Sequence, residues 1–181
     1  VKSRAEILSD INILSTEYYH FLLTKHELGK KALKYLKEKR KLTDKTISEF
    51  KLGYAPNSWR SLSNFLLTKK NFRLEDVLSS GLIKQTEAKD KYFDMFRSRV
   101  VFPIRDWGGK IVGFTARALT NEEPKYLNIS ETELFHKGTL FFGIDKAKVQ
   151  IKKENLAIIV EGQLDVISAH QAGFTNVIGT S

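Results

Sequence analysis

The spacing between apolar residues changes at Gly81, and that change limits the folds open to the chain more than any other feature. Before it, Ile7, Ile11, Leu14, Tyr18, Phe21 and Leu22 recur three or four residues apart, the stripe of an amphipathic helix. Residues 28–40 read as a second helix, with Ala32, Tyr35 and Leu36 opposite a row of Lys30, Lys34, Lys37 and Lys41. Leu42-Thr43-Asp44-Lys45-Thr46-Ile47 reads as a helix start, in which Thr43 caps, Asp44 complements the positive first turn and Leu42 staples onto Ile47. Gly53 and Pro56 stop that helix, and two short helices fit residues 58–69 and 74–80. The first 80 residues are therefore expected to be all-helical.

After Gly81 short runs such as Val100-Val101-Phe102 and Ile111-Val112-Gly113-Phe114 read as strands. Asp106-Trp107-Gly108-Gly109-Lys110 between them is a hairpin connection, because glycine accepts the positive φ of a tight turn. The middle of the chain is expected to be an antiparallel meander, with the polar stretch 84–91 as a loop. Residues 145–153 fit a basic helix, and Leu156-Ala157-Ile158-Ile159-Val160 has the unbroken apolar character of a buried parallel strand. A helix over 165–172, ended by Gly173, and a strand over 175–179 complete one βαβ unit. The expected class is α+β passing into α/β: a helical amino-terminal part, a meander, then one βαβ unit. Such a unit covers both faces of its strands only when further elements follow, so the chain reads as a fragment with apolar surface expected around Val160 and Val177.

Lys and Arg number 30 against 21 Asp and Glu, a net charge of +9 that favours phosphate-bearing partners. With no cysteine there is no disulfide, thiolate metal site or cysteine nucleophile. No run of about 18 apolar residues could span a bilayer, and Val1-Lys2-Ser3-Arg4-Ala5-Glu6 lacks the apolar region of a signal peptide. His20, His26, His136 and His170 lack metal-ligand spacing, and glycine-rich phosphate loops and hydrolase motifs are absent. Two constellations remain. In Val160-Glu161-Gly162-Gln163-Leu164-Asp165-Val166 a glutamate ends the apolar strand and an aspartate opens the next helix, at the end of an α/β strand where ligands gather. Such a pair can hold Mg²⁺ or Mn²⁺ through hard oxygens, or Glu161 can move a proton; the plainer alternative is a capping aspartate and a solvated strand end. The second constellation is basic: Arg97, Arg99, Arg105, Arg117, Lys125 and Lys137, with Tyr126, Phe135 and His136 interspersed. If Arg97 and Arg99 share a strand they share a face, and cations beside aromatic rings suit single-stranded nucleic acid. A solvated sheet face is the alternative, and the lysine row on the second helix reads first as the wet side of that helix.

Three blocks taken together carry a resemblance. Phe96-Arg97-Ser98-Arg99-Val100-Val101-Phe102-Pro103-Ile104-Arg105-Asp106 with Gly113-Phe114-Thr115-Ala116-Arg117, then Pro124-Lys125-Tyr126-Leu127-Asn128 with Phe135-His136-Lys137-Gly138, then Val160 to Val166, resemble the RNA polymerase core of bacterial DnaG-type primases. Phe50-Lys51-Leu52-Gly53-Tyr54-Ala55-Pro56 is similar to the family's helical lead-in, so the likeness runs from about Tyr18 to Ser181. It implies a mixed helical and β subdomain over residues 1–153 and, over 154–181, the start of a truncated Toprim domain. It also implies a DNA-directed RNA polymerase that makes short RNA primers on single-stranded DNA from ribonucleoside triphosphates, in the bacterial cytoplasm, associated with the nucleoid and with no membrane partner. Glu161 would act in metal-dependent nucleotidyl transfer with Mg²⁺ or Mn²⁺, Asp165 matches a further acidic position, and the basic ridge maps onto Arg97, Arg99, Arg117, Lys125 and Lys137.

Departures from the family pattern are Gln163-Leu164 where Tyr-Met is common and Glu49 where a basic residue often stands. The Asp-x-Asp strand, the zinc-binding amino-terminal domain and the helicase-binding carboxyl-terminal domain lie outside this chain. Glu161 and Asp165 alone do not complete a two-metal clamp, so the isolated chain is expected to be catalytically incompetent. Competing readings are another Toprim enzyme, a topoisomerase or nuclease, and a non-catalytic single-strand-binding module.

Overall fold

The computed structural model describes residues 2–180. Helix α1 (Arg4–Lys25) opens on a reciprocal cap: the Glu6 N–H donates to the Ser3 hydroxyl, and the Ser3 N–H donates to the Glu6 carboxylate at 2.7 Å. Helix α2 (Lys30–Lys34) runs on as a π turn over Tyr35–Lys39, and α3 (Asp44–Glu49) starts with the Thr46 N–H donating to the Thr43 hydroxyl, as the sequence predicts. Then the expectation of an all-helical first 80 residues fails. Gly53–Ala55 is a strand, β1, paired antiparallel with Val101, Val100 and Arg99. Three residues are too few to show a period, so only the distant partner reveals the strand.

β1 also explains a second correction. The buried face of α1 is Leu8, Ile11, Asn12, Ser15, Thr16, Tyr19, Leu22 and Leu23, whereas Ile7, Leu14 and Tyr18 are half-buried and Phe21 is exposed. The helix is turned because its backbone lies against β1: a Cβ at Gly53 would stand 2.5 Å from the Tyr19 Cβ and 2.9 Å from the Tyr19 carbonyl carbon. Of the polar residues on that face, Asn12 donates to the Ile111 carbonyl and Thr16 to the Asn12 carbonyl.

Helix α4 (Ser61–Asn64) runs on as a π turn over Phe65–Lys69 and is followed by α5 (Leu74–Ser79). β2 (Ile83–Gln85) and β3 (Tyr92–Asp94) form a hairpin, so Lys84 and Gln85, expected in a loop, pair with Phe93 and Tyr92. β4 (Arg99–Arg105) and β5 (Ile111–Ala118) form the expected hairpin, in which the Gly108 and Lys110 N–H groups donate to the Asp106 carboxylate. With β6 (Tyr126–Asn128) they complete an antiparallel sheet of order β1-β4-β5-β6. That sheet is the middle layer of an α+β fold. Val101, Phe114 and Ala116 join a core with α1, α4 and α5, while Val100 and Phe102 join a second core with Leu36, Ile47 and Phe50.

The carboxyl-terminal sheet has the order β7-β9-β8: β7 (Phe141–Phe142), β8 (Ile158–Val160) and β9 (Val177–Thr180), with α6 (Ile144–Glu154) between β7 and β8 and α7 (Gln163–Gln171) crossing from β8 to the parallel β9. β7 was not foreseen, and it changes what is covered. Val177 is buried rather than exposed, because β9 is the central strand and packs with α7 on the second core. Val160 is half-buried, and Ile159, expected inside a doubly covered strand, is 57% exposed on the outer strand β8. Gln171 of α7 bridges to the backbone of Lys41 and Thr43, tying this sheet to α3.

The Gly53 seam makes a direct prediction. Gly53→Ala forces a methyl group into backbone, which should cost about 1–3 kcal/mol of stability by overpacking. Urea unfolding followed by far-UV circular dichroism should show the loss as a lower midpoint, and an unchanged midpoint would mean that α1 and β1 are not so closely seated.

Candidate functional site

Glu161 stands at the tip of β8, Gly162 turns the chain and Asp165 lies in the first turn of α7. Asp165 does not cap the helix: Gly162 occupies the cap position and no side chain caps there. Both carboxylates are exposed, and neither has a hydrogen-bond or ion-pair partner among the described residues. Gly162 lets the aspartate lie close to the backbone, since a Cβ there would stand 2.8 Å from the Asp165 Oδ2 and the exposed carboxylate would have to swing aside. The two acids line a cleft of ≈ 420 Å³ whose opposite wall is Thr115, Tyr126 and Asn128 from β5 and β6. Two hard-oxygen donors with no competing partner suit part of a divalent-cation shell. Among the described residues no group of three or more His, Asp or Glu side chains gathers to complete one.

The basic residues divide into three settings. Arg97 lies before β4, not in it, and Ser98 at φ 52° breaks the alternation that was to place Arg97 and Arg99 on one face. The Arg97 guanidinium donates to the Asp94 carbonyl at 2.5 Å and sits 3.9 Å from the ring centre of Trp59. Trp59 is 61% exposed and meets Phe93 edge-on, and beside it the Arg60 guanidinium covers the Tyr92 ring at 4.2 Å. Arg99 is 6% exposed and donates to the Lys125 carbonyl; burial lowers the pKa of its guanidinium, partly offset by Glu122. It shapes the sheet end from which Lys125 and Tyr126 project.

Arg117 on β5 donates to the Tyr35 hydroxyl at 2.5 Å, and Arg40 donates to the same oxygen at 2.7 Å. Both guanidiniums lie 5.5 Å from the Tyr35 ring centre, and the Arg117 Nε is buried without a partner. Two cations converge there on one neutral oxygen, and no ion pair offsets either among the described residues. The lysine row behaves differently: Lys30, Lys34 and Lys37 pair with Glu27, Glu38 and Asp44, which fits the wet face of a helix. Lys125 and Lys137 are exposed on loops. Of the interspersed aromatics, Tyr126 lies in the cleft and His136 is exposed, but Phe135 is fully buried against Gly113 and belongs to the core.

Trp59, Tyr35 and Arg40 were missed by sequence reasoning. Trp59 had left a signal, a large ring in the turn-like run Pro56-Asn57-Ser58-Trp59-Arg60 with no apolar face to serve. Tyr35 and Arg40 had not, because their contact with Arg117 spans 82 residues of chain in the first case and depends on a π turn in both.

The family model for the DNA primase catalytic core, N-terminal domain, matches residues 18–148, from within α1 to within α6. DNA primase from Synechococcus elongatus is 44% identical over 178 residues, which are 98% of this chain and 26% of that protein. DNA primase from Halalkalibacterium halodurans is 42% identical over 175 residues, 97% of this chain and 29% of that protein. The RNA polymerase domain of Mycobacterium tuberculosis primase DnaG superposes with a TM-score of 0.88 at 35% identity, covering 98% of this chain and 56% of that one. A DnaG primase catalytic domain solved bound to ssDNA gives a TM-score of 0.86 at 31% identity, covering 98% and 54%. The chain thus spans between a quarter and a third of the length of these curated relatives and about half of the solved domains. A match that runs through both cores and the sheet between them, together with relatives that align over nearly every residue, establishes that the chain belongs to the family of the DNA primase catalytic core, N-terminal domain.

Proposed function

We propose that the chain forms the template- and nucleotide-facing part of a DNA primase, an enzyme that builds short RNA primers on single-stranded DNA. The observation that carries this reading is one cleft with two unpartnered carboxylates on one wall and Tyr126 on the other, with the Arg117 guanidinium 5.9 Å from the Tyr126 ring. Residues 1–153 would be the amino-terminal subdomain of the core, and residues 154–181 the start of a Toprim domain. Ribonucleoside triphosphates would be the substrates. The replicative helicase and zinc are expected only through domains beyond this chain, and a cytoplasmic, nucleoid-associated setting follows from replication.

Each group has a chemical task under this reading. Glu161 and Asp165 would hold Mg²⁺ or Mn²⁺, which when bound supplies Lewis acidity for nucleotidyl transfer. Their lack of protein partners leaves all four oxygens for that purpose. Arg117 and Arg40 would bind phosphate oxygens, since a phosphate relieves the repulsion between two guanidiniums better than a phenol can. Lys125 and Lys137 would add mobile charge at the rim. Trp59, with Arg97 stacked on it, offers a ring face for a base and a cation for its phosphate. Arg99 would act from beneath, holding the Lys125 backbone.

Two predictions test this assignment. Single-stranded oligothymidylate should bind with log affinity falling against log salt at a slope of about −0.7 per neutralised phosphate. Arg97→Glu should weaken that binding and flatten the slope, as read by fluorescence anisotropy across a salt series; equal affinity and slope would remove Arg97 from the template path. Arg99→Glu is expected to unfold the chain instead, because it buries a carboxylate without a partner. In the full-length protein, Glu161→Gln should abolish primer synthesis and leave oligothymidylate binding in EDTA within about two-fold, a change well under the roughly 1 kcal/mol scale of one lost contact. Synthesis surviving in that variant would show that the carboxylate is misassigned.

A further inference from the structure

Asp94 ends β3 and is 1% exposed. Its Oδ2 accepts the Leu62 N–H at 2.7 Å and its Oδ1 accepts the Ser63 N–H at 3.0 Å, two first-turn donors of α4 that have no partner within the helix. Its own N–H donates to the Trp59 carbonyl at 2.8 Å, and its carbonyl accepts the Arg97 guanidinium. One residue therefore joins the Trp59 turn, the start of α4 and the Arg97 side chain. Among the described residues no other hydrogen bond or ion pair holds the Trp59 or Arg97 side chain. The Trp59 indole N–H has no hydrogen bond among the described residues, and the Arg97 guanidinium has only the one to Asp94.

A buried carboxylate is a costly cap. Helices α1 and α3 are capped at the surface by Ser3 and Thr43, at no such cost. At Asp94, burial pushes the carboxyl pKa up while the Leu62 and Ser63 N–H groups oppose the shift. What the aspartate supplies in return is rigidity: two oxygens and a backbone, all engaged, fix the angle between α4 and the end of β3.

We propose that Asp94 is a positioning residue for single-stranded nucleic acid, holding Trp59 and Arg97 stacked in the one geometry that accepts a base beside its phosphate. The inference rests on the reading of Trp59 and Arg97 as a template platform. Asp94 itself, being buried, touches no ligand.

The two ideas separate in one set of variants. In a Trp107→Phe background Trp59 is the only indole, since the chain has two tryptophans. Oligothymidylate affinity is measured by anisotropy, and Trp59 exposure by acrylamide quenching, for Trp59→Ala, Asp94→Asn and both together, with Trp59→Ala read by anisotropy alone. Asp94→Asn keeps the shape but aims an amide N–H₂ at a backbone N–H. It should lower affinity about ten-fold, the scale of one lost base–aromatic stack, and raise the quenching of Trp59. The double variant should lose no more than Trp59→Ala alone, because both changes remove the same platform. Unchanged affinity in folded Asp94→Asn, or losses that add, would overturn the role of Asp94 while leaving the platform standing. Wild-type affinity in Trp59→Ala would overturn the platform itself. If Asp94→Asn does not fold, the unmodified chain decides: oligothymidylate should shift the amide resonances of buried Leu62 and Ser63, which a purely structural cap would leave in place.

Discussion

The antiparallel pairing of β4 with β5 is buried on both faces, so each residue of the two strands must satisfy one of two cores. Phe102 and Phe114 are fully buried on opposite cores, each worth about 1.5–3 kcal/mol relative to an exposed ring. A sheet covered this way has no solvated face for its charges. Arg99 and Arg117 lie near one end of the pair, opposite Ala118 and Val100 in the register, and their cationic ends must leave the layer there. Packing, which has no sequence-reading purpose of its own, thus gathers positive charge at the end of the sheet that faces the carboxylate cleft.

That concentration is oriented by neutral oxygens and not by ion pairs among the described residues. Tyr35 accepts from two guanidiniums, Asp94 gives Arg97 only a backbone carbonyl, and Arg99 also ends on a carbonyl. Each guanidinium is oriented by a neutral oxygen and not by a paired carboxylate, with Glu122 and Glu123 acting on buried Arg99 and Asp94 on Arg97 without an ion pair. Elsewhere the opposite holds, as in Lys37 with Asp44 or Arg73 with Asp76, where side-chain carboxylates absorb the charge. A net charge of +9 spread evenly would attract polyanions weakly over the whole surface. Leaving the arginines at one sheet end without ion-pair partners among the described residues gives the attraction a direction.

What could be read in the sequence was local. The Thr43 cap, the Asp106 to Lys110 turn and the strand-glycine-helix passage at Glu161 each depend on neighbours within a few residues, and each stands as expected. What could not be read depended on distant partners. β1 and β7 are three and two residues long and exist only through their pairing with β4 and β9. The buried face of α1 includes Asn12, Ser15 and Thr16, which an apolar count passes over, and the partner of Asn12, the Ile111 carbonyl, lies on another element. The site divides along the same line. Glu161, Asp165 and the individual arginines were visible as residue types, but Ser98 at positive φ separated Arg97 from Arg99, and the pairing of Arg40 with Arg117 through Tyr35 needed the fold.

The two walls of the cleft rest on supports of unequal strength. Tyr126, Asn128 and Arg117 belong to the sheet between the cores, where strand pairing and side-chain burial reinforce each other. Glu161 directly follows β8, three residues paired on one side only, with Ile158 and Ile159 exposed. Asp165 is steadier than its partner, because Leu164, Val166 and Ile167 on the same helix are buried in the second core. Local opening follows the density of buried contacts, so β8 and the glutamate at its tip belong to the low-stability end of the molecule. The wall carrying Arg117 and Tyr126 is then preorganised, and the acidic wall is the side that a bound cation or further covering of β8 would have to steady. Under the proposed reading, charge recognition and metal chemistry would be separable in the fold: the first built into the packed sheet, the second borrowed from an edge.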